Sequence, residues 1–329
     1  MLLAILAILA GFIVLAWSAD RFVDGAAALA SHFGVSPLII GLTIVGFGTS
    51  APELVVSALA ALGGNPGLAV GNAIGSNIAN VGLVLGIGAV LAPLTVGSAI
   101  LRREFPVMGL ALLMVLIVLL DGQLGLIEGI ILLISLLVII AWTVHTGIRE
   151  SRQASVTKLE DPLQAEFEQE LAQVMPMMQA VLWLIIGGAF MVASSRLLVW
   201  GAVQIATLLG ISDLLIGLTI VAIGTSLPEV AATVASVFKG ENDIAIGNVI
   251  GSNIFNSLGV IGLAGILHPT VIDKIVLTRD IPMMLGITVL LYIILYRSGG
   301  IPCLSRIKGI VLLMLYCSYL ALLVYQATV

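Results

Sequence analysis

Charge is scarce in this sequence: 9% of its 329 residues are Asp, Glu, Lys or Arg, against 60% that are hydrophobic. A soluble domain carries roughly 25% charged residues to keep its surface in water, so a water-soluble globule is excluded. Thirteen Lys and Arg stand against eighteen Asp and Glu, which leaves no basic footprint for nucleic acid. Cysteine is limited to Cys303 and Cys317, in or beside the last apolar stretch and without metal-ligand spacing. Both are expected to be free, buried thiols. The three histidines, His32, His145 and His268, are scattered at segment ends, and no HExxH is present, which leaves an intramembrane zinc protease without support. Gly46-Phe47-Gly48 lies inside an apolar segment with no βαβ context, so it is not a dinucleotide loop. Neither a cofactor nor an enzymatic activity is expected.

What is present is apolar sequence in long runs. A helix crosses a bilayer with about 20 mostly apolar residues. Ten stretches are candidates, at about 2–19, 36–62, 68–92, 105–120, 124–147, 177–200, 213–237, 244–267, 281–296 and 305–327. The chain therefore reads as an all-α polytopic membrane protein. The first stretch begins at Leu2 with no basic residue before it and no small-residue cleavage site, and is expected to be a retained helix and not a secretory signal. The one long polar stretch, 148–176, is too short for a folded domain and reads as a linker between a first unit, 1–147, and a second, 177–329. Basic residues favour the cytoplasmic side. With the N-terminus outside, ten of the thirteen fall on cytoplasmic connections or helix ends, Lys274 and Arg279 fall outside, and Arg196 lies near a helix end. Both termini are thus expected outside and the linker inside, in a prokaryotic inner membrane.

An internal repeat organises the chain. Gly41-Leu42-Thr43-Ile44-Val45-Gly46-Phe47-Gly48-Thr49-Ser50-Ala51-Pro52-Glu53 returns 176 residues later as Gly217-Leu218-Thr219-Ile220-Val221-Ala222-Ile223-Gly224-Thr225-Ser226-Leu227-Pro228-Glu229. Gly71 to Asn80 returns at the same offset as Gly247 to Asn256, giving 20 identities in the 40 positions from 41 to 80. Shared apolar bias would not place Thr, Ser, Pro, Glu and Asn in register. Five helices per copy is an odd number, so the second copy enters the membrane with opposite polarity. Inverted repeats of this kind are characteristic of secondary transporters, with sites near the midplane.

A carboxylate deep in an apolar segment is expensive, at least ~2.5 kcal/mol on insertion scales, and usually functional. Glu53 and Glu229 are such residues at equivalent positions. On a helix, Thr49 and Ser50 share a face with Glu53, and Thr225 and Ser226 with Glu229. In the next helix of each copy Ser76 and Asn80 are four apart, as are Ser252 and Asn256. Brought together, these residues give two carboxylates ringed by hydroxyl and amide oxygens, the shell that hard cations such as Ca2+ and Na+ take. Pro52 and Pro228 clash with the carbonyl four residues back, at Gly48 and Gly224. A break there would free carbonyls near Gly46 and Ala222 to face a cavity. Asp20, Arg21 and Asp24 follow the first stretch and read as a solvated end.

The doubled blocks Gly48-Thr49-Ser50-Ala51-Pro52-Glu53 with Gly75-Ser76-Asn77, and Gly224-Thr225-Ser226-Leu227-Pro228-Glu229 with Gly251-Ser252-Asn253, resemble the two alpha-repeats of the calcium/cation antiporter superfamily, above all its prokaryotic sodium/calcium exchanger branch. The resemblance spans essentially the whole chain. It implies ten transmembrane helices, an outside N-terminus and Na+/Ca2+ exchange by alternating access. It also implies that Glu53, Glu229, Thr49, Ser50, Thr225, Ser226, Ser76, Ser252 and Asn80, with the carbonyls of Gly46 and Ala222, line the ion sites. Asn256 departs from the acidic residue that the family often carries, which speaks against potassium coupling. The expected partners are inorganic cations and the lipid bilayer, with the monomer as the working unit. An antiporter driven by H+, a passive cation channel and a membrane scaffold remain open alternatives from sequence.

Overall fold

A computed structural model describes residues 1–33, 48–96, 100–157, 175–239, 242–296 and 302–328. Among them, eight helices are long and apolar enough to cross a membrane, from Leu2–Leu29 to Arg306–Ala327. They account for eight of the ten stretches. The stretch at 105–120 is the helix Phe105–Val118, extended backwards by a wide π turn at Ile100–Glu104. The stretch at 36–62 is described only in its second part, the helix Ala51–Leu62.

Burial sorts these helices into a centre and a periphery. Pro66–Leu91 and Ile244–Leu267 are 78% buried, whereas Leu126–Thr146 is 17% buried. An apolar helix that buries so little of itself against protein faces lipid. Cys317 follows from this. It is exposed, and Cys303 is only half-buried, because the helix Arg306–Thr328 that carries Cys317 is peripheral. The expectation of two buried thiols is corrected here; apolar surroundings in this chain are largely lipid and not core.

The first helix runs on to His32, well past its apolar stretch. Asp20, Arg21 and Asp24 therefore lie within the helix, where Arg21 pairs with Asp24 at 3.2 Å and lies 5.6 Å from the Trp183 ring centroid. The helix packs antiparallel on Met177–Leu209 with backbones in contact. A Cβ at Gly25 would lie 2.7 Å from the Ala180 carbonyl oxygen, and one at Gly201 would lie 2.8 Å from that of Ala4. Only small residues allow this approach.

The 176-residue register reappears as structure. π turns at Asn80–Val84 and Asn256–Val260 interrupt the two central helices at equivalent places, and those at Ile100–Glu104 and Val276–Asp280 match likewise. Short antiparallel ladders tie the copies together: Leu94–Thr95 pairs with Cys303–Leu304, and Gln123–Leu124 pairs with Thr270–Val271. Each ladder thus joins one strand from each half. The helix starting at Leu126 continues to Thr157.

Candidate functional site

Each glutamate stands at the start of a half-helix. Ser226, with φ −83° and ψ 4°, separates Ala222–Thr225 from Leu227–Lys239, and Ser50, with φ −88° and ψ 4°, caps Ala51–Leu62. Proline explains the break: Pro52 and Pro228 have no N–H to give, so they are tolerated in a first turn and not in an interior. Glu53 and Glu229 follow directly, where the unpaired amides and the helix dipole favour negative charge.

The break also changes who touches whom. A continuous helix would set Thr49 and Ser50 beside Glu53. Instead these side chains cross to the other repeat. Ser50 Oγ lies 2.8 Å from Ser252 Oγ and 3.2 Å from Glu229 Oε1, and Ser252 Oγ donates to Glu229 Oε1 at 3.1 Å. Thr49 Oγ1 donates to Asn248 Oδ1 at 3.1 Å. The second repeat returns the pattern. Ser226 Oγ donates to Glu53 Oε1 at 3.4 Å, Thr225 Oγ1 to Asn72 Oδ1 at 3.0 Å, and Ser76 Oγ lies 3.4 Å from Thr225 Oγ1. Subtracting or adding 176 converts the Ser50–Glu229 bond into Ser226–Glu53, Thr49–Asn248 into Thr225–Asn72, and Ser76–Thr225 into the 3.5 Å contact of Thr49 with Ser252, so these bonds relate the two halves by a two-fold.

The amides of the central helices continue the lattice. Asn80 Nδ2 donates to Asn253 Oδ1 at 3.0 Å, and Asn77 Nδ2 donates to Ser257 Oγ at 2.7 Å. Asn256 is fully buried at the start of its π turn. π turns shift a helical face by one residue and recur at functional sites.

Glu53, Glu229, Ser50, Thr225, Ser226, Ser76, Ser252, Asn80, Asn256 and Ala222 are all 0% exposed, and Thr49 is half-buried. The Ala222 carbonyl accepts the Ser226 N–H at 3.1 Å, so in this conformation it is engaged within its own chain segment. Gly46 lies outside the described residues. Sequence reasoning passed over Asn72, Asn248, Asn77 and Asn253 as site residues. The signal was available, since all four recur in register between the repeats.

Buried polar atoms are nearly always paired, and here several acceptors are not. Among the described residues, Glu53 Oε2, Glu229 Oε2, Asn80 Oδ1 and Asn256 Oδ1 are buried without a hydrogen-bond partner. Oxygens of this kind, contributed by both repeats, are the ligands that a hard cation takes, six to eight of them in the case of Ca2+. Among the described residues, no group of three or more His, Cys, Asp or Glu is placed to hold a metal ion.

A second buried polar group lies away from these carboxylates. Asp280 is fully buried, paired with Arg279 Nε at 2.6 Å, and accepts the Tyr319 hydroxyl at 2.7 Å. It ties Val276–Tyr296 to Arg306–Ala327.

Comparison with known proteins places this geometry in a family. Residues 3–144 and 179–325 both match the family described as sodium/calcium exchanger protein. The protein CaxA of Alkalimonas amylolytica is 46% identical over 323 residues, covering 98% of this chain and 99% of its own. The inner membrane protein YrbG of Escherichia coli K12 is 40% identical over 329 residues, covering 100% and 99%. A solved structure of the sodium-calcium exchanger NCX_Mj, soaked with Na+ and Sr2+, aligns with a TM-score of 0.65 and 32% identity over 97% of this chain and 98% of that one.

Proposed function

This chain belongs to the sodium/calcium exchanger family, and on that premise we propose that it is a secondary antiporter moving Na+ against Ca2+ by alternating access. The observation that carries the proposal is the cross-repeat bonding of Glu53 and Glu229, each of which keeps one buried carboxylate oxygen without a partner among the described residues. Thr49, Ser50, Ser76, Asn80 and their partners Thr225, Ser226, Ser252 and Asn256 supply neutral oxygens around the two charges. The carbonyls of Gly46 and Ala222 complete the shell.

Alternating access requires two dissimilar arrangements of similar halves, and the repeats differ in how they are covered. Val56, Ala60 and Ala61 share a buried cluster with Leu198, Ala202 and Ile205. On the equivalent half-helix their counterparts Ser236 and Val237 are also buried and Ala232 is half-buried, while Ala231 and Ala235 are exposed where Val55 and Leu59 are half-buried. Two inverted units, 1–147 and 177–329, of five helices each, joined by a cytoplasmic linker at 148–176, bring both carboxylates together within one chain, so the monomer suffices. The chain lies in the inner membrane with both termini outside. A pore would more naturally use rings of residues from several subunits, and none of these features calls for one.

Isotopic Ca2+ uptake into Na+-loaded proteoliposomes diluted into Na+-free buffer tests the proposal. Ca2+ is expected to accumulate above its external concentration and to leave when external Na+ is restored. Accumulation indifferent to the Na+ gradient would refute exchange.

A further inference from the structure

Two half-helices carry the carboxylates, and the same fastening is made on only one of them. In the first repeat Asn72 Nδ2 donates to Ser57 Oγ at 2.9 Å and to the Glu53 carbonyl oxygen at 3.4 Å. Ser57 Oγ in turn donates to the Ala69 carbonyl oxygen at 3.3 Å. These bonds tie Ala51–Leu62 to Pro66–Ala79, one helical turn beyond Glu53. The 176-residue register puts Thr233, Asn248 and Ala245 at the equivalent places. There the hydroxyl and the amide are kept, and the bond is not made. Thr233 Oγ1 and Asn248 Nδ2 are buried without a hydrogen-bond partner among the described residues. Buried polar atoms left unpaired are costly, so the pair calls for a second arrangement that satisfies it.

The other end of each amide is engaged in both repeats. Asn72 Oδ1 accepts from Thr225, and Asn248 Oδ1 accepts from Thr49. Each asparagine thus stands between its own half-helix and a site threonine of the other repeat. Exposure follows the fastening. Asn72 and Thr225 are fully buried, whereas Asn248 and Thr49 are half-buried.

We infer that Asn72 and Asn248 are positioning residues for exchange, each latching its half-helix through Ser57 or Thr233 while the ion site is sealed on that side, and that the two latches close in alternation. This rests on the exchange reading above and adds the residues that set which face the site opens to. In the conformation described, the Ser57 latch is closed and the Thr233 latch is released. In the assigned orientation the first half-helix ends at the outer face with Leu62 and the second at the cytoplasmic face with Lys239, so the site opens inwards here. The opposite state pairs Asn248 with Thr233 and parts Asn72 from Ser57. A group that bonds in one state and not in the other shifts the balance between them.

The test measures half-saturating Ca2+ concentrations of the full-length protein at each face, in right-side-out and everted membrane vesicles without a membrane potential and with saturating Na+ on the opposite side. An apparent affinity scales with the fraction of carriers facing the ligand, so the outer-to-inner ratio reads the balance between the two states. Loss of one neutral hydrogen bond changes that balance about fivefold. Thr233→Val keeps the shape but cannot close the second latch, and is expected to raise the ratio about fivefold. Ser57→Ala is expected to lower it by a similar factor, and Thr233→Ser, which keeps the hydroxyl, to leave it at the parental value. A merely structural part for these residues would weaken both faces alike and leave the ratio unmoved. Unmoved ratios, or shifts of both variants in the same direction, overturn the inference and leave exchange intact. If Ser57→Ala does not fold, Thr233→Val carries the test alone, since the hydroxyl it removes is unpaired here, and an unmoved ratio in it overturns the inference. Absence of any Na+-driven Ca2+ movement by the unsubstituted protein overturns the exchange reading, and this inference with it.

Discussion

Ser50 donates to Glu229 at 3.2 Å, and Ser226 donates to Glu53 at 3.4 Å. Each carboxylate is thus held by the serine three residues ahead of the other one. Neither repeat can build its half of the cage alone, and a movement of one half-helix is felt at the opposite carboxylate.

Ser50→Ala and Ser226→Ala should therefore weaken Ca2+ transport to a similar degree. Losing a hydrogen bond to a charged group costs about 1.5–3 kcal/mol, or roughly tenfold to a hundredfold in the half-saturating Ca2+ concentration. Initial uptake rates across a Ca2+ series give that value. If one variant is strongly impaired and the other is silent, the two-fold relation does not extend to function.

Gly224 is the tightest point of the site. A Cβ there would lie 1.8 Å from ring carbons of Phe12. Gly224→Ala is expected to lower the Tm and abolish uptake, since overpacking costs about 1–3 kcal/mol or more. Adding Phe12→Ala should restore both, because the ring is the obstacle. A double variant as unstable as Gly224→Ala would mean that the glycine is needed for its backbone and not for its missing side chain.

Asn256→Asp adds a third carboxylate to a site that holds two. Like charges at close range in low dielectric favour protonation of one of them or recruitment of another cation. Ca2+ flux measured from pH 6 to 8 at varied Na+ and K+ should gain a pH dependence or a new cation requirement, with expression little changed. Unchanged profiles in all three variables would remove Asn256 from the ion shell.

Much of this was legible in the sequence because the membrane narrows the choices. Glu53 and Glu229 stood out as charges where charge is costly, and the 176-residue register tied each to its neighbours. Pro52 and Pro228 pointed to the half-helix breaks. The direction of the hydrogen bonds was not legible, because helical spacing places Thr49 beside Glu53 while the break turns it towards Asn248. The π turns at Asn80 and Asn256 have no one-residue signature, and a period of 3.6 does not announce them. Asp280 was passed over because its partner Tyr319 lies 39 residues away. Burial of Cys317 was misjudged because sequence alone does not separate lipid-facing from protein-facing apolar positions.

Topology yields to a labelling experiment. Ser155→Cys, in a background with Cys303 and Cys317 replaced, should resist an impermeant thiol reagent applied outside intact cells and react once the membrane is opened. Strong labelling from outside would invert the assigned orientation, which rests on the distribution of basic residues.

The central claim is that Glu53 and Glu229 together hold the transported ion, and equilibrium binding of isotopic Ca2+ to the purified protein tests it most directly. One saturable Ca2+ per chain is predicted, displaced by Na+, and lost in both Glu53→Gln and Glu229→Gln while each variant still elutes as a folded monodisperse species. Ca2+ bound with unaltered affinity by either folded variant would contradict the account.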